Sequence, residues 1–354
     1  MGGTIEVPGE VRAAFTGELI APADRGYEQA RQVHNGLIDK RPALIARCRT
    51  VPDIVDAVTI GREQATEISV RGGGHNVAGL AVTDGGLMID LAPMKGIRVD
   101  PVATIYGGMV AHPVSRAREA FGFYRDLTQE APDELTVYMS LFANPDTPDD
   151  IMLAMVACHC GDPASAEADL KPLRQFGPPA ADLIQPMPYP VINTLSDGGY
   201  PRGAFNYWKS AFLSELSDAS LEIMVDAMHR CPSSMSGLGI VPYLGAVARV
   251  DTAATAFAHR APGYSLLIVS QWTNRRETEQ NIAWARETFE SLRPYMTDRS
   301  YVNNLTAEDG QKVHEVWGAN YRRLVTVKRR YDPDNIFRLN DNIDPSPEVP
   351  QCPR

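Results

Sequence analysis

Three consecutive glycines stand directly after a short apolar run in "ISVRGGGHNVAGL" (residues 68–80), and no other stretch restricts the fold as tightly. Glycine has no Cβ and reaches positive φ, so successive glycines let several backbone N–H groups converge on one anion, a pyrophosphate being the best fit. Arg71 adds a positive charge beside them. "EISV" reads as a strand entering the loop, and the preceding "VPDIVDAVTIGREQAT" (51–66) spaces Ile54, Val55, Val58 and Ile60 as a helix does. A glycine triplet alone is also compatible with a bare tight turn. The pattern is not G-x-G-x-x-G, and no Lys-Ser/Thr pair follows as in a P-loop, so neither an NAD-type site nor an NTPase is supported.

The residue after the triplet is His75. A lone histidine after a turn is usually structural or exposed. One pinned on an anion-binding loop lies over whatever that loop holds, and imidazole is the side chain most able to act as a nucleophile or proton carrier near neutral pH. Composition narrows the partners. A formal net charge of −10 argues against a nucleic-acid or anionic-membrane surface, which leaves small-molecule chemistry. Five irregularly spaced cysteines argue against a disulfide framework and for a reducing, cytoplasmic setting. No stretch reads as a membrane span or a leader segment.

A length of 354 residues fits about two domains. After β-like "EISV", the segment 85–101 offers two more short strands, the second ending at Asp100 and Pro101. Beyond Thr104 the texture changes. "DELTVYMSLF", "IMLAMVACHC", "IVPYLGAVARV" and "YSLLIVSQW" read as strands, and "ASLEIMVDAMHR" and "RRETEQNIAWARETFESL" as helices. The proline- and glycine-rich run 176–203 is expected to be a surface excursion. The segment 307–331 reads as one long helix stopped at Asp332 and Pro333. Cys158, His159 and Cys160 invite a metal, but no second ligand pair stands at zinc spacing, so core cysteines are expected and no metal.

These residues carry a resemblance. "RGGGHNVAG", with "RPALIARC" before it, "GGLMIDLAPMKGI" after it and "NYRRLVTVKRRYDPDNIFRLNDNI" near the end, looks like the FAD-linked oxidases of the berberine bridge enzyme-like group. That group lies within the vanillyl-alcohol-oxidase and p-cresol-methylhydroxylase (PCMH) superfamily. The likeness implies an α+β fold: a PCMH-type FAD-binding α/β subdomain over 1–103, a substrate domain with a mainly antiparallel sheet covered by helices over 104–305, and a segment 306–354 returning to the FAD domain. It implies FAD joined covalently to His75, with Arg71, Gly72, Gly73, Gly74, Asn76, Gly79 and Leu80 along the pyrophosphate and ribityl side. Asn340 and Asn342 would reach the flavin, although asparagine is also an ordinary turn former. Asn303 and Tyr301 in "YVNN" fall where the family carries site residues. Tyr301 is the candidate general base, with a structural tyrosine as the competing reading.

The implied activity is oxidation of a small organic substrate by hydride transfer to flavin, with molecular oxygen as acceptor, in the cytoplasm and without nucleic acid or membrane; an oligomer is compatible with the sequence. One departure stands out. "RVDPVA" runs directly into "TIYGGMVAHP", so a block on the order of a hundred residues, itself domain-sized, is missing near Ala103 and Thr104. That loss opens two alternatives: a truncated, non-catalytic remnant with weak or no flavin binding, and an interaction protein using the uncovered face.

Overall fold

The computed structural model describes residues 4–96, 104–306, 308, 313–339 and 341–346. The chain divides into two compact units, Met1–Arg98 with Ala307–Arg354, and Val99–Thr306.

The first unit carries two short helices, α1 (Gly9–Ala14) and α2 (Tyr27–Ala30), and a longer one, α3 (Val51–Glu63). Its sheet is built from β1 (Glu18–Ile20), β2 (Leu44–Arg47), β3 (Ile68–Arg71) and β4 (Leu87–Asp90) in the order β1-β2-β4-β3. β2, β4 and β3 run parallel and β1 is antiparallel to β2. Both faces of the sheet are covered. Leu44, Ala46, Ile68, Leu87 and Ile89 pack with Ala57 of α3 on one side, and Ile45 and Met88 with Ile20, Tyr27, Val33 and Val82 on the other. Strands buried on both faces lose the polar alternation of half-exposed ones, which is why "LMID" is buried at every position. α3 starts at a capping box: Thr50 accepts from Asp53 N, and Asp53 accepts from Thr50 N at 2.9 Å. The second strand expected within 85–101 falls on residues 97–103, outside the described residues.

The second unit is an eight-stranded antiparallel sheet of β5 (Thr104–Pro113), β6 (Leu135–Ala143), β7 (Ile151–His159), β8 (Ala181–Asp182), β9 (Gln185–Pro188), β10 (Phe205–Leu213), β11 (Gly237–Tyr243) and β12 (Gly263–Trp272). Its order is β10-β12-β11-β6-β7-β5-β8, with β9 also on β5. The helices are α4 (Ala117–Glu130), α5 (Pro163–Gln175), α6 (Tyr189–Ile192), α7 (Asp218–His229), α8 (Ala246–Arg249) and α9 (Thr278–Leu292). Alternate residues of the sheet, Leu153, Met155, Leu141, Met139, Leu238, Ile240, Leu266 and Ile268, are buried, as a strand period of two requires against a helical layer. Tyr124 of α4 ties the layers by donating to the carbonyls of Val137 and Ile240, each at 3.2 Å. The α+β class expected from the sequence is the class observed.

Three details differ from expectation. "IVPYLGAVARV" is not one strand: β11 ends at Tyr243, and α8 follows the turn at Gly245. The expected long helix is α10 (Val313–Trp317) and α11 (Tyr321–Tyr331), separated by a tighter turn at Gly318–Asn320, where Gly318 sits at φ +48°. A left-handed residue cannot continue an α-helix, and glycine adopts it without strain. Of the expected core cysteines, Cys158 is only partly buried and Cys160 is exposed, because they share the sheet face away from the buried His159. The run 176–203 is largely exposed, and β8 and β9 within it hydrogen-bond to β5.

Candidate functional site

β3 and β4 are parallel neighbours, so the chain between them must cross from the end of one to the start of the other, and that connection is the glycine loop. Gly74 sits at φ +73°, where a side chain would be strained, and its carbonyl accepts from His34 N at 3.0 Å. Asn76 closes the next turn: its Oδ1 accepts from Leu80 N at 3.0 Å and its carbonyl from Gly79 N at 3.1 Å. Gly79 packs so closely on Ile38 that a Cβ would stand 2.7 Å from Ile38 Cδ1, and its carbonyl accepts from Lys40 Nζ at 3.0 Å. Leu80 is half-buried beside it.

Among the described residues, no protein acceptor takes a hydrogen bond from the N–H groups of residues 72–78. Gly72 and Gly73 are exposed. A run of open backbone donors beside exposed glycines is the chemistry an anion needs. His75 is exposed on the same loop, and its ring stacks on His34 with centroids 4.8 Å apart and planes 19° from parallel.

Arg71 does a different job from the one its position invites. It is 8% exposed, and its guanidinium is clamped to Asp90 at 3.0 Å and 2.5 Å and to the carbonyls of Ala30 and Gln32 at 2.6 Å and 3.0 Å. All three guanidinium nitrogens are engaged with protein. Arg71 thus ties β3, β4 and the 30–32 segment together, and the positive end of the loop is backbone N–H rather than a free cation. The 30–40 segment is what sequence reasoning missed: His34, Asn35, whose Nδ2 donates to Val77 O at 2.9 Å, and Lys40 all brace the loop. Nothing in local spacing links them to residues some forty positions on.

At the far end of the chain the returning segment packs on this same unit. Ile336 joins the sheet core, and Asp334 pairs with Arg62 of α3 at 3.2 Å. Asn342 carries a buried Oδ1 with no hydrogen-bond partner among the described residues. Asn340 lies outside the described residues. An orphaned amide oxygen and a run of open N–H donors both fit FAD, which offers a ring N–H and a pyrophosphate.

Tyr301 and Asn303 belong to the second unit. Asn303 Nδ2 donates to the Tyr301 hydroxyl at 2.7 Å, and the Tyr301 ring meets Phe257 edge-on at 5.9 Å. Phe257, Tyr243, Phe212 and His259 form one aromatic cluster. Its cations stack on Phe257 (Arg260, 4.9 Å) and Phe212 (Arg299, 5.2 Å), not on Tyr301. Burial pushes the Tyr243 hydroxyl up, with Tyr301 adding to the effect and Arg260 opposing it.

Residues 42–138 match the family described as FAD binding domain, and 300–344 the one described as berberine and berberine like. An FAD-linked oxidoreductase of Dictyostelium discoideum is 25% identical over 297 residues, covering 82% of this chain and 60% of that one. (R)-6-hydroxynicotine oxidase of Paenarthrobacter nicotinovorans is 24% identical, covering 94% of this chain and 97% of that one. That alignment runs over 447 residues against a chain of 354, with both used almost end to end, so the relative holds a long internal stretch without a counterpart here. Among solved structures, 6-hydroxy-D-nicotine oxidase from Arthrobacter nicotinovorans superposes with a TM-score of 0.82 at 21% identity, over 94% of this chain and 98% of that one. Berberine bridge enzyme from Eschscholzia californica gives 0.79 at 12%, over 94% and 98%. With its glycine loop, returning C-terminal segment and helix-covered antiparallel sheet, the chain carries an FAD binding domain and a berberine and berberine like segment, and its fold is that of the solved berberine bridge enzyme-like oxidases.

Proposed function

We propose that the chain is an FAD-dependent oxidase of a small organic substrate, with the flavin held covalently by His75 and molecular oxygen as the electron acceptor. The observation that carries this reading is the run of open N–H donors over residues 72–78 with His75 exposed within it. Those donors would bind the pyrophosphate, Gly79 and Leu80 would continue the wall, and Asn342 Oδ1 would accept a ring N–H. Arg71 acts through position: by clamping Asp90 and two carbonyls it fixes the end of β3 from which the loop starts. When bound, FAD supplies hydride acceptance and passes the electrons to oxygen. His75 would hold and orient it, and stacking on His34 restrains the imidazole on the loop. Tyr301, positioned by Asn303, is the candidate to take the substrate's proton.

A reducing, cytoplasmic location goes with this reading, supported by free Cys48, Cys158, Cys160 and Cys231. No helix among the described residues is long and apolar enough to cross a membrane. A second reading has its own support. The internal stretch present in the relative and missing here is domain-sized, and a flavin site lacking one wall is wetter and makes fewer contacts. On that reading the chain is a remnant that binds flavin poorly and turns over slowly or not at all. The absorption spectrum of the purified protein separates the two: a flavin band that bleaches with substrate, even at less than one flavin per chain, supports the oxidase, and a colourless protein the remnant.

A further inference from the structure

Away from the glycine loop the fold brings two thiols together. β7 ends "ACH" and Cys160 follows, so Cys158 and Cys160 project on one side of the sheet and His159 on the other. His159 is fully buried, with Nε2 2.9 Å from Asp169 Oδ2 of α5 and Nδ1 accepting from Gly161 N at 3.1 Å. That anchoring fixes which way the two cysteines face. Their sulfurs lie 3.7 Å apart, Cys160 exposed and Cys158 partly exposed. At about 3.3 Å of rise per residue, the two Cα atoms of an extended i, i+2 pair are roughly 6.6 Å apart, inside the range of about 4.4–6.8 Å that a disulfide spans. Cys160 stands one residue beyond the last register pair, His159 opposite Leu135 and Tyr106; its N–H still donates to Glu134 O at 2.9 Å, and Gly161 follows, so the side chains and the backbone after Cys160 are what can adjust. From a sulfur separation of 3.7 Å, the remaining gap is closed by side-chain rotation with the register of β7 kept.

We infer that Cys158 and Cys160 form a modification site, a dithiol that a peroxide converts to a reversible disulfide. The exposed Cys160 meets the oxidant first: its thiolate attacks one peroxide oxygen, the O–O bond breaks, hydroxide leaves and takes up a proton, and Cys160 becomes a sulfenic acid. Burial, with Cys160 adding to it, pushes the Cys158 thiol up to about 12, so Cys158 stays a thiol until then. It then loses its proton and attacks the Cys160 sulfur; the S–O bond breaks and water leaves. Two thiols and one hydrogen peroxide give one disulfide and two waters. Because Cys160 is exposed, a reductant reaches the bond directly, the behaviour of a labile rather than a structural bridge. A flavin oxidase that uses oxygen would itself release the peroxide, but the chemistry does not depend on that reading, since peroxide can be added.

The test is peptide mapping by mass spectrometry of the full chain after hydrogen peroxide, with and without dithiothreitol, followed by thiol alkylation. The expected result is loss of two hydrogens from the segment holding Cys158 and Cys160, reversed by dithiothreitol, with Cys48 untouched in its buried site. In Cys158→Ser, sulfenic acid at Cys160 should persist and be trapped by dimedone. Wild-type chain that keeps two alkylatable thiols here, or that gathers sulfinic acid at Cys160 as fast as Cys158→Ser does, would overturn the proposal whether or not the protein holds flavin.

Discussion

Both ring nitrogens of His112 are buried without a hydrogen-bond partner among the described residues. Burial lowers its pKa below 6.5, and Arg116 lowers it further. Below pH 6.5 the unfolded chain therefore takes up a proton that the folded chain refuses, so stability is full above 6.5 and falls as pH drops through and below it. His112→Leu, apolar and of similar size, is expected to match or exceed wild-type stability at neutral pH and to flatten that decline, read from urea midpoints above and below pH 6.5. Tyr301 is a sharper test of chemistry. If it takes the substrate's proton, Tyr301→Phe slows flavin reduction by about 10²-fold or more; an unchanged rate leaves Tyr301 a structural residue held by Asn303. Legibility at this scale follows locality. Gly74 and His75 announce themselves because a positive φ and the residue after it are set by neighbours in sequence. Arg71 misleads because its partners, Asp90 and the carbonyls of Ala30 and Gln32, are set by the fold.

Among elements, α3 was legible from its helically spaced apolar residues, although it ends at Glu63 rather than at 66 and Val55 is exposed; the Thr50–Asp53 capping box that starts it is a local signal that the apolar spacing alone leaves unread. Asp53 is 1% exposed. Burial pushes its carboxyl up, but donors on Arg49 N, Thr16 N, Thr16 Oγ1 and Thr50 N outweigh that and hold it at about 2, against an ordinary 3.8. The lowered value means its contribution is complete above pH 3.8 and is lost as pH falls towards 2, a contribution of about 2 kcal/mol. Asp53→Asn is expected to remove roughly that much in urea unfolding at neutral pH, and to lose less than wild type on acidification. The C-terminal helix expected over 307–331 ends at Tyr331 as expected, its first residues 307 and 309–312 lie outside the described residues, and its continuity was not legible, because Gly318 can sit inside a helix or end one, and only packing decides. The strand expected over 240–250 fails for a related reason: its apolar residues continue past Tyr243, but Gly245 turns the chain.

Over the whole molecule, the family was legible and the consequence of the gap was not. Short motifs at both ends of the chain report the glycine loop and the returning segment, because each is one local stretch packed within the first unit. The missing internal stretch acts through what it no longer covers, and no residue that remains can register that. Flavin content is therefore expected to fall below one per chain, while whatever flavin is bound should be bound through His75. The most direct measurement is flavin fluorescence of the polypeptide after acid precipitation and a denaturing gel, for wild type and His75→Ala expressed side by side. A fluorescent wild-type band with none in His75→Ala is the expected result. A dark wild-type band, or fluorescence that survives in His75→Ala, would contradict the assignment of this loop as a covalent flavin site.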